Sequence, residues 1–131
     1  MNQANVTQVQ AALHLVLDDI RARGWEPRSA TVRVDHVWGA PGTLPETTVI
    51  VRYGGHEFPV DSALGFGAQV AVIAERLQDD VIDDEQQGWP MSSDGRRLLS
   101  PRARAEDGAA WWYDGEMPVA PVGRGRAQDQ H

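Results

Sequence analysis

Three of the four histidines sit close to carboxylates, and these pairs are the residues of the chain best suited to acid–base chemistry. Asp35 precedes His36, Glu57 follows His56, and Asp18 lies four residues after His14. An imidazole titrates near neutral pH and can take a proton or a metal while a neighbouring carboxylate orients it. If the strands that carry His36 and His56 are neighbours, the two rings can meet on one face with Asp61 nearby. That would be the beginning of a small metal-dependent hydrolase. The same two histidines also alternate with apolar residues, as ordinary half-buried sheet positions do. The chain contains no HExxH, GxSxG, P-loop or GxGxxG pattern. The reading therefore leans away from an enzyme and assigns no catalytic residue, no metal ligand and no cofactor.

Charge makes a better case for binding. Nineteen acids face twelve bases, all of them arginine, for a net charge of -7. Residues 75–85, "ERLQDDVIDDE", hold six acids and one arginine, whereas residues 96–126 hold six arginines and four acids. A dense carboxylate run such as Asp79, Asp80, Asp83 and Asp84 can steer and hold a basic protein. It can equally be a solvated face. Near the other end, Trp111 and Trp112 stand together and Arg96 and Arg97 precede them. Tryptophan and arginine are the side chains that most often anchor interfaces. Adjacent residues in a strand point to opposite faces, so one indole can enter a core while its neighbour stays outside on an arginine stem.

The elements that must position these groups follow from periodicity. Val6, Val9, Leu13, Val16, Leu17 and Ile20 recur at three- and four-residue steps, which predicts a helix over 6–23 closed by Gly24. "TVRVDHV" and "TTVIVRY" alternate as strands, separated by the loop "WGAPGTLPE". Gly54-Gly55 suits a tight turn into "HEFPV", where Pro59 marks an edge strand. Asp61 or Ser62 is placed to cap a second helix running to about Gln87, with Phe66, Val70, Ile73, Leu77 and Val81 as its buried stripe. Its opening "GFGAQV" is either an anion nest or a site of close packing. Beyond Gly88, "LLSP" can pair with "AAWWY" across "RARAED", and "MPVAPV" can add an extended piece. The closing "GRGRAQDQH" is polar and reads as a frayed tail.

That last third resembles the tail of uncharacterised small actinobacterial proteins, in which a helix ends at W-P and a zinc-ribbon-like hairpin follows. The frame of the resemblance is W-P-x-C-P-x-H-x-H-x-L-x-P, then W-x-C-P, then A-P-[I/V]-G. Trp89-Pro90, Leu99, Pro101, Trp111 and "APVG" at 120–123 match it. The ligand positions hold Ser92, Gly95, Arg97 and Tyr113 instead. The resemblance thus implies a hairpin scaffold without its metal and brings no activity with it.

The fold expected is α+β: helix, three-stranded antiparallel meander, helix, then a C-terminal β-hairpin lobe. Residues 1–88 would form the core domain, 89–123 the lobe packed on it, and 124–131 the tail. The absence of cysteine removes disulfides and thiolate metal sites, and no apolar run approaches a membrane span. A cytoplasmic protein is expected, with no membrane partner. The acidic balance also disfavours nucleic acid. The function expected is non-enzymatic binding of another protein, one that would be basic where it meets Asp79, Asp80, Asp83 and Asp84. Trp111, Trp112, Arg96 and Arg97 would serve as a second contact. The alternatives are an acidic immunity- or antitoxin-type inhibitor of a toxin or nuclease, and the small metal-dependent hydrolase. The oligomeric state stays open.

Overall fold

The structure, a computed structural model, describes residues 3–37 and 46–123. The loop expected between the first two strands and the expected tail at 124–131 lie outside the described residues. Helix α1 (Gln3–Ala22) leads into strands β1 (Ala30–Val37), β2 (Glu46–Tyr53) and β3 (His56–Val60). Helix α2 (Phe66–Glu85) follows, and then β4 (Ser100–Ala103), β5 (Ala110–Asp114) and β6 (Met117–Pro121). The strands form two antiparallel three-stranded sheets, ordered β1-β2-β3 and β4-β5-β6. The chain is an α+β protein in the expected order, and the extended C-terminal piece is the third strand of the second sheet.

Alternation places the first sheet. Val51 lies opposite both Val32 and Phe58, and Val49 opposite Val34 and Val60, so the middle of one face of the meander is apolar. Val49, Val51, Tyr53, Phe58 and Val60 are all buried. The β2–β3 turn needs a residue at positive φ, and Gly54 supplies it at +60°. A Cβ at Gly54 would also come within 2.4 Å of the Arg28 side chain.

The second helix begins later than its sequence suggests. The Asp61 carboxylate accepts a 2.9 Å bond from the Ala63 N–H and the Asp61 carbonyl one of 3.2 Å from Leu64, closing a turn ahead of the helix. With Asp61 committed to that turn, Gly65 becomes the N-cap and carries no side-chain cap. Phe66, expected in the buried stripe, is 40% exposed because it sits on the first turn, beyond the reach of the core. The stripe that is buried runs through Gln69, Val70, Ile73, Ala74, Leu77, Gln78 and Val81. Its C-cap is Gln86 in the left-handed region, whose N–H reaches the Ile82 carbonyl.

Both sheets pack on the helix pair and share one core. Val9, Val16 and Ile20 of α1, Ile73 and Leu77 of α2, and Val49 and Val51 of β2 belong to the same buried cluster as Trp89, Leu99, Trp112 and Val122. Burying a large apolar side chain contributes roughly 1.5–3 kcal/mol. Segment 89–123 is therefore built into the body of the protein. Among the described residues, no helix is long and apolar enough to cross a membrane.

Candidate functional site

The four aspartates of α2 divide into two pairs, because 79 and 83 share one helical face while 80 and 84 share the next. Asp80 leans toward β3 and meets His56 Nδ1 at 2.7 Å. Asp84 takes both arms of the Arg28 guanidinium, with Nε at 2.7 Å. Arg28 in turn stacks over the Tyr53 ring at 5.8 Å, and its backbone N–H donates to the Tyr53 hydroxyl at 3.1 Å. The hydrogen bonds that Arg28 donates to Asp84 hold its pKa above the ordinary value, and burial raises that of Tyr53. Asp80 and Asp84 therefore tie α2 at the surface to β3 and to the segment ahead of β1. Of the four aspartates named as partner contacts, these two already have side-chain partners within the chain.

Asp79 and Asp83 remain exposed, and Glu75 extends their line one turn back. At positions i, i+4 and i+8 the three carboxylates form a straight ridge, and none has an ion-pair partner among the described residues. Arg76, beside this ridge, is drawn off to the Phe58 ring at 5.1 Å. Glu75 was not singled out from the sequence, although its spacing from Asp79 was the available signal.

The aromatic segment also divides. Trp112 is buried with 4% exposure, packs edge-on against Trp89 at 5.4 Å and donates its indole N–H to Asp19 at 2.8 Å. It belongs to the core and is unavailable to a partner, which corrects its place among the contact residues. Trp111 points the other way and is half-buried under the Arg104 guanidinium, 4.3 Å from the ring centroid. Arg102 stacks likewise on Tyr113 at 4.1 Å, so the outer face of the second sheet carries a ladder of arginines on aromatic rings. Arg97 is held by both oxygens of Asp114 at 2.8 Å. The Arg96 backbone N–H donates to Asp94, and its side chain projects outward.

At the positions where the ribbon resemblance would place ligands, other bonds are made. The Ser92 hydroxyl donates to Asp94 at 2.6 Å and accepts from the Arg97 N–H at 3.1 Å. The Gly95 N–H donates to the Ser92 carbonyl at 2.8 Å, and Tyr113 lies beneath Arg102. Among the described residues, no group of three His, Asp or Glu side chains is arranged to hold a metal ion.

The histidine pair depended on adjacent strands, and the sheet order separates them. β2 lies between β1 and β3. His36 pairs with Thr47 at one end of β2, whereas His56 pairs with Tyr53 at the other. The two cannot share a site.

Two polar groups that sequence reasoning passed over prove central. Asp19 is buried on α1, where it accepts from Trp112 and from the Gly123 N–H, each at 2.8 Å. Gln78 is buried on α2, and its amide donates to the carbonyls of Trp89 at 3.0 Å and Leu99 at 2.7 Å. The signal available was a polar residue on the apolar face of each helix. An open groove of about 690 Å³ lies where Gly67 of α2 meets Gly108, with Phe66 and Trp111 in its walls. No family model, curated protein or solved structure matches the chain.

Proposed function

We propose that this protein is a non-enzymatic binding module for a basic protein, and that Glu75, Asp79 and Asp83 form the contact. The observation that carries the reading is the ridge itself. Like charges at i, i+4 destabilise a helix by a few tenths of a kcal/mol per pair, and carboxylates in the last turns oppose its dipole. Neighbouring Asp80 and Asp84 are engaged by His56 and Arg28, while these three face water with no ion-pair partner among the described residues. The clamps to His56 and Arg28 fix the direction of α2, so the ridge is presented on a rigid body. An immunity-type inhibitor of a basic toxin or nuclease is the narrower form of the same reading. A cysteine-free chain of this charge suits the cytoplasm.

The test is capture from a lysate of the native host by wild type and by the combined Glu75→Gln, Asp79→Asn and Asp83→Asn variant. The expected result is a basic protein retained by wild type at low ionic strength, released by salt, and lost to the variant. The variant should fold as well as wild type or slightly better, since repulsion along the ridge is relieved. Equal capture by both would leave the ridge as a solvated face and remove the proposal.

A further inference from the structure

The two sheets present four edge strands, and three are blunted in the same way. β3 contains Pro59, β4 contains Pro101, and β6 contains Pro118 and Pro121. Proline removes a backbone donor and stops another strand from adding to the edge. β1 is different. It is the longest edge, at eight residues, and "ATVRVDHV" contains no proline. Among the described residues, β2 is its only strand neighbour. An edge of this length with no second strand partner among the described residues is a template for strand addition.

The charges on β1 identify the strand that fits. Residues directly opposite one another in an antiparallel pair point to the same face, so a two-fold axis relating two copies of β1 must pass through a residue position. Centring the pair on Arg33 or on Asp35 would set like charges opposite each other. Centring it on Val34 sets Arg33 opposite Asp35 of the second copy, twice over. Both side chains are exposed on the outer face, at 48% and 54%; within one copy Arg33 bridges Asp35 at 3.6 Å and Glu57 at 3.2 Å, so pairing across the axis would extend an ion-pair network already present. On the inner face, Val32 and Val34 are only half-buried, while their counterparts Val51 and Val49 on β2 are fully covered. A second β1 would cover the part left open.

We infer that the protein forms a symmetric dimer by antiparallel pairing of β1 with β1 of a second copy, centred on Val34, to give one continuous six-stranded sheet. Edge pairing alone buries less than a standard interface, so the dimer is a weak one, formed in the micromolar range. It also presents two acidic ridges at once, although it does not depend on them.

The test is sedimentation equilibrium over a concentration series. Wild type is expected to pass from monomer mass to twice that mass as concentration rises. Arg33→Asp and Asp35→Arg each place two like-charge pairs across the axis, and each should weaken the dimer by about ten- to a hundred-fold. The double variant Arg33→Asp/Asp35→Arg restores opposite charges and should dimerise again. An equimolar mixture of the two single variants should do the same, because each supplies what the other lacks. Wild type that stays monomeric at about millimolar concentration overturns the inference. So do single variants that dimerise as well as wild type, or a mixture of them that stays monomeric.

Discussion

The N-terminal and C-terminal sheets share a strand count and an antiparallel order, yet they are fixed to the helices by different means. The first is held by area: β2 and β3 lay Val49, Val51, Tyr53, Phe58 and Val60 against the helices. The second has strands of four or five residues and cannot offer such a surface. Instead it inserts Trp112 and ties the surrounding backbone to Asp19 and Gln78. A hydrogen bond between buried groups has a fixed direction, which apolar burial lacks. Short strands can thus be positioned by a few polar anchors when they are too small to be positioned by packing.

Trp112 carries most of the second sheet's anchoring. Trp112→Ala should cost about 3–5 kcal/mol, from lost burial, the cavity left and the abandoned Asp19 carboxylate. Val51→Ala in the first sheet should cost about 2–3 kcal/mol, as a purely apolar deletion. Because both residues lie in one core, each variant should show a single denaturant transition that coincides by tryptophan fluorescence and by circular dichroism. If Trp112→Ala instead splits the transition and spares the first sheet, the two sheets are separate units.

The second sheet is also fixed where its β4–β5 loop meets α2. A Cβ at Gly67 would stand 1.6 Å from the Gly108 carbonyl oxygen, so backbone would have to move. Gly67→Ala should therefore cost about 1–3 kcal/mol. Gly65→Ala, with nothing within 4 Å of the added atom, should cost less than half as much. Equal effects in thermal melts would mean that the contact between α2 and the Gly108 loop is not held in solution. The glycine pair in "GFGAQV" thus serves close packing at one member only.

Much of this architecture can be read from residue spacing, because both helices and all three strands of the first sheet bury one regular face. Pairing between distant segments cannot be read that way. Helical spacing separates Asp79 and Asp83 from Asp80 and Asp84, but nothing local shows that Arg28 will reach Asp84 across 56 positions. Adjacent tryptophans must face opposite ways, yet which one enters the core depends on register. Trp112 lies opposite Pro101 and Ala120, whose shared face packs on the helices. Phe66 matched the apolar period and still stayed outside, because its helix begins there. Asp19 and Gln78 lie on the apolar faces of their helices and serve there as attachment points for the second sheet.

The smallest expected effect concerns the outer surface of the second sheet and its behaviour in acid. Three carboxylates of this lobe are held below the usual aspartate range. Asp107 is lowered to about 2, first by the Arg104 guanidinium and then by the Ala109 N–H. Asp94 is lowered chiefly by the Ser92 hydroxyl, and Asp114 by Arg97. A carboxylate whose folded pKa is depressed adds stability that is fully present above its unfolded value of 3.8 and is lost as pH falls through its folded value. The arginine ladder should therefore be intact at pH 5 and loosen between about pH 4 and about pH 2. Arg104 joins Asp107 to the ring of Trp111, so the Trp111 indole is the natural reporter. Its side-chain resonances should shift with a midpoint near the Asp107 value of about 2, and Asp107→Asn should produce the shifted position already at neutral pH. The buried Trp112 should move less, because Arg104 stacks on the outer face while Trp112 is held inside by Asp19. A Trp111 midpoint close to 3.8 would mean that Arg104 does not hold Asp107 in solution, and that the outer ladder adds nothing to the anchoring from within.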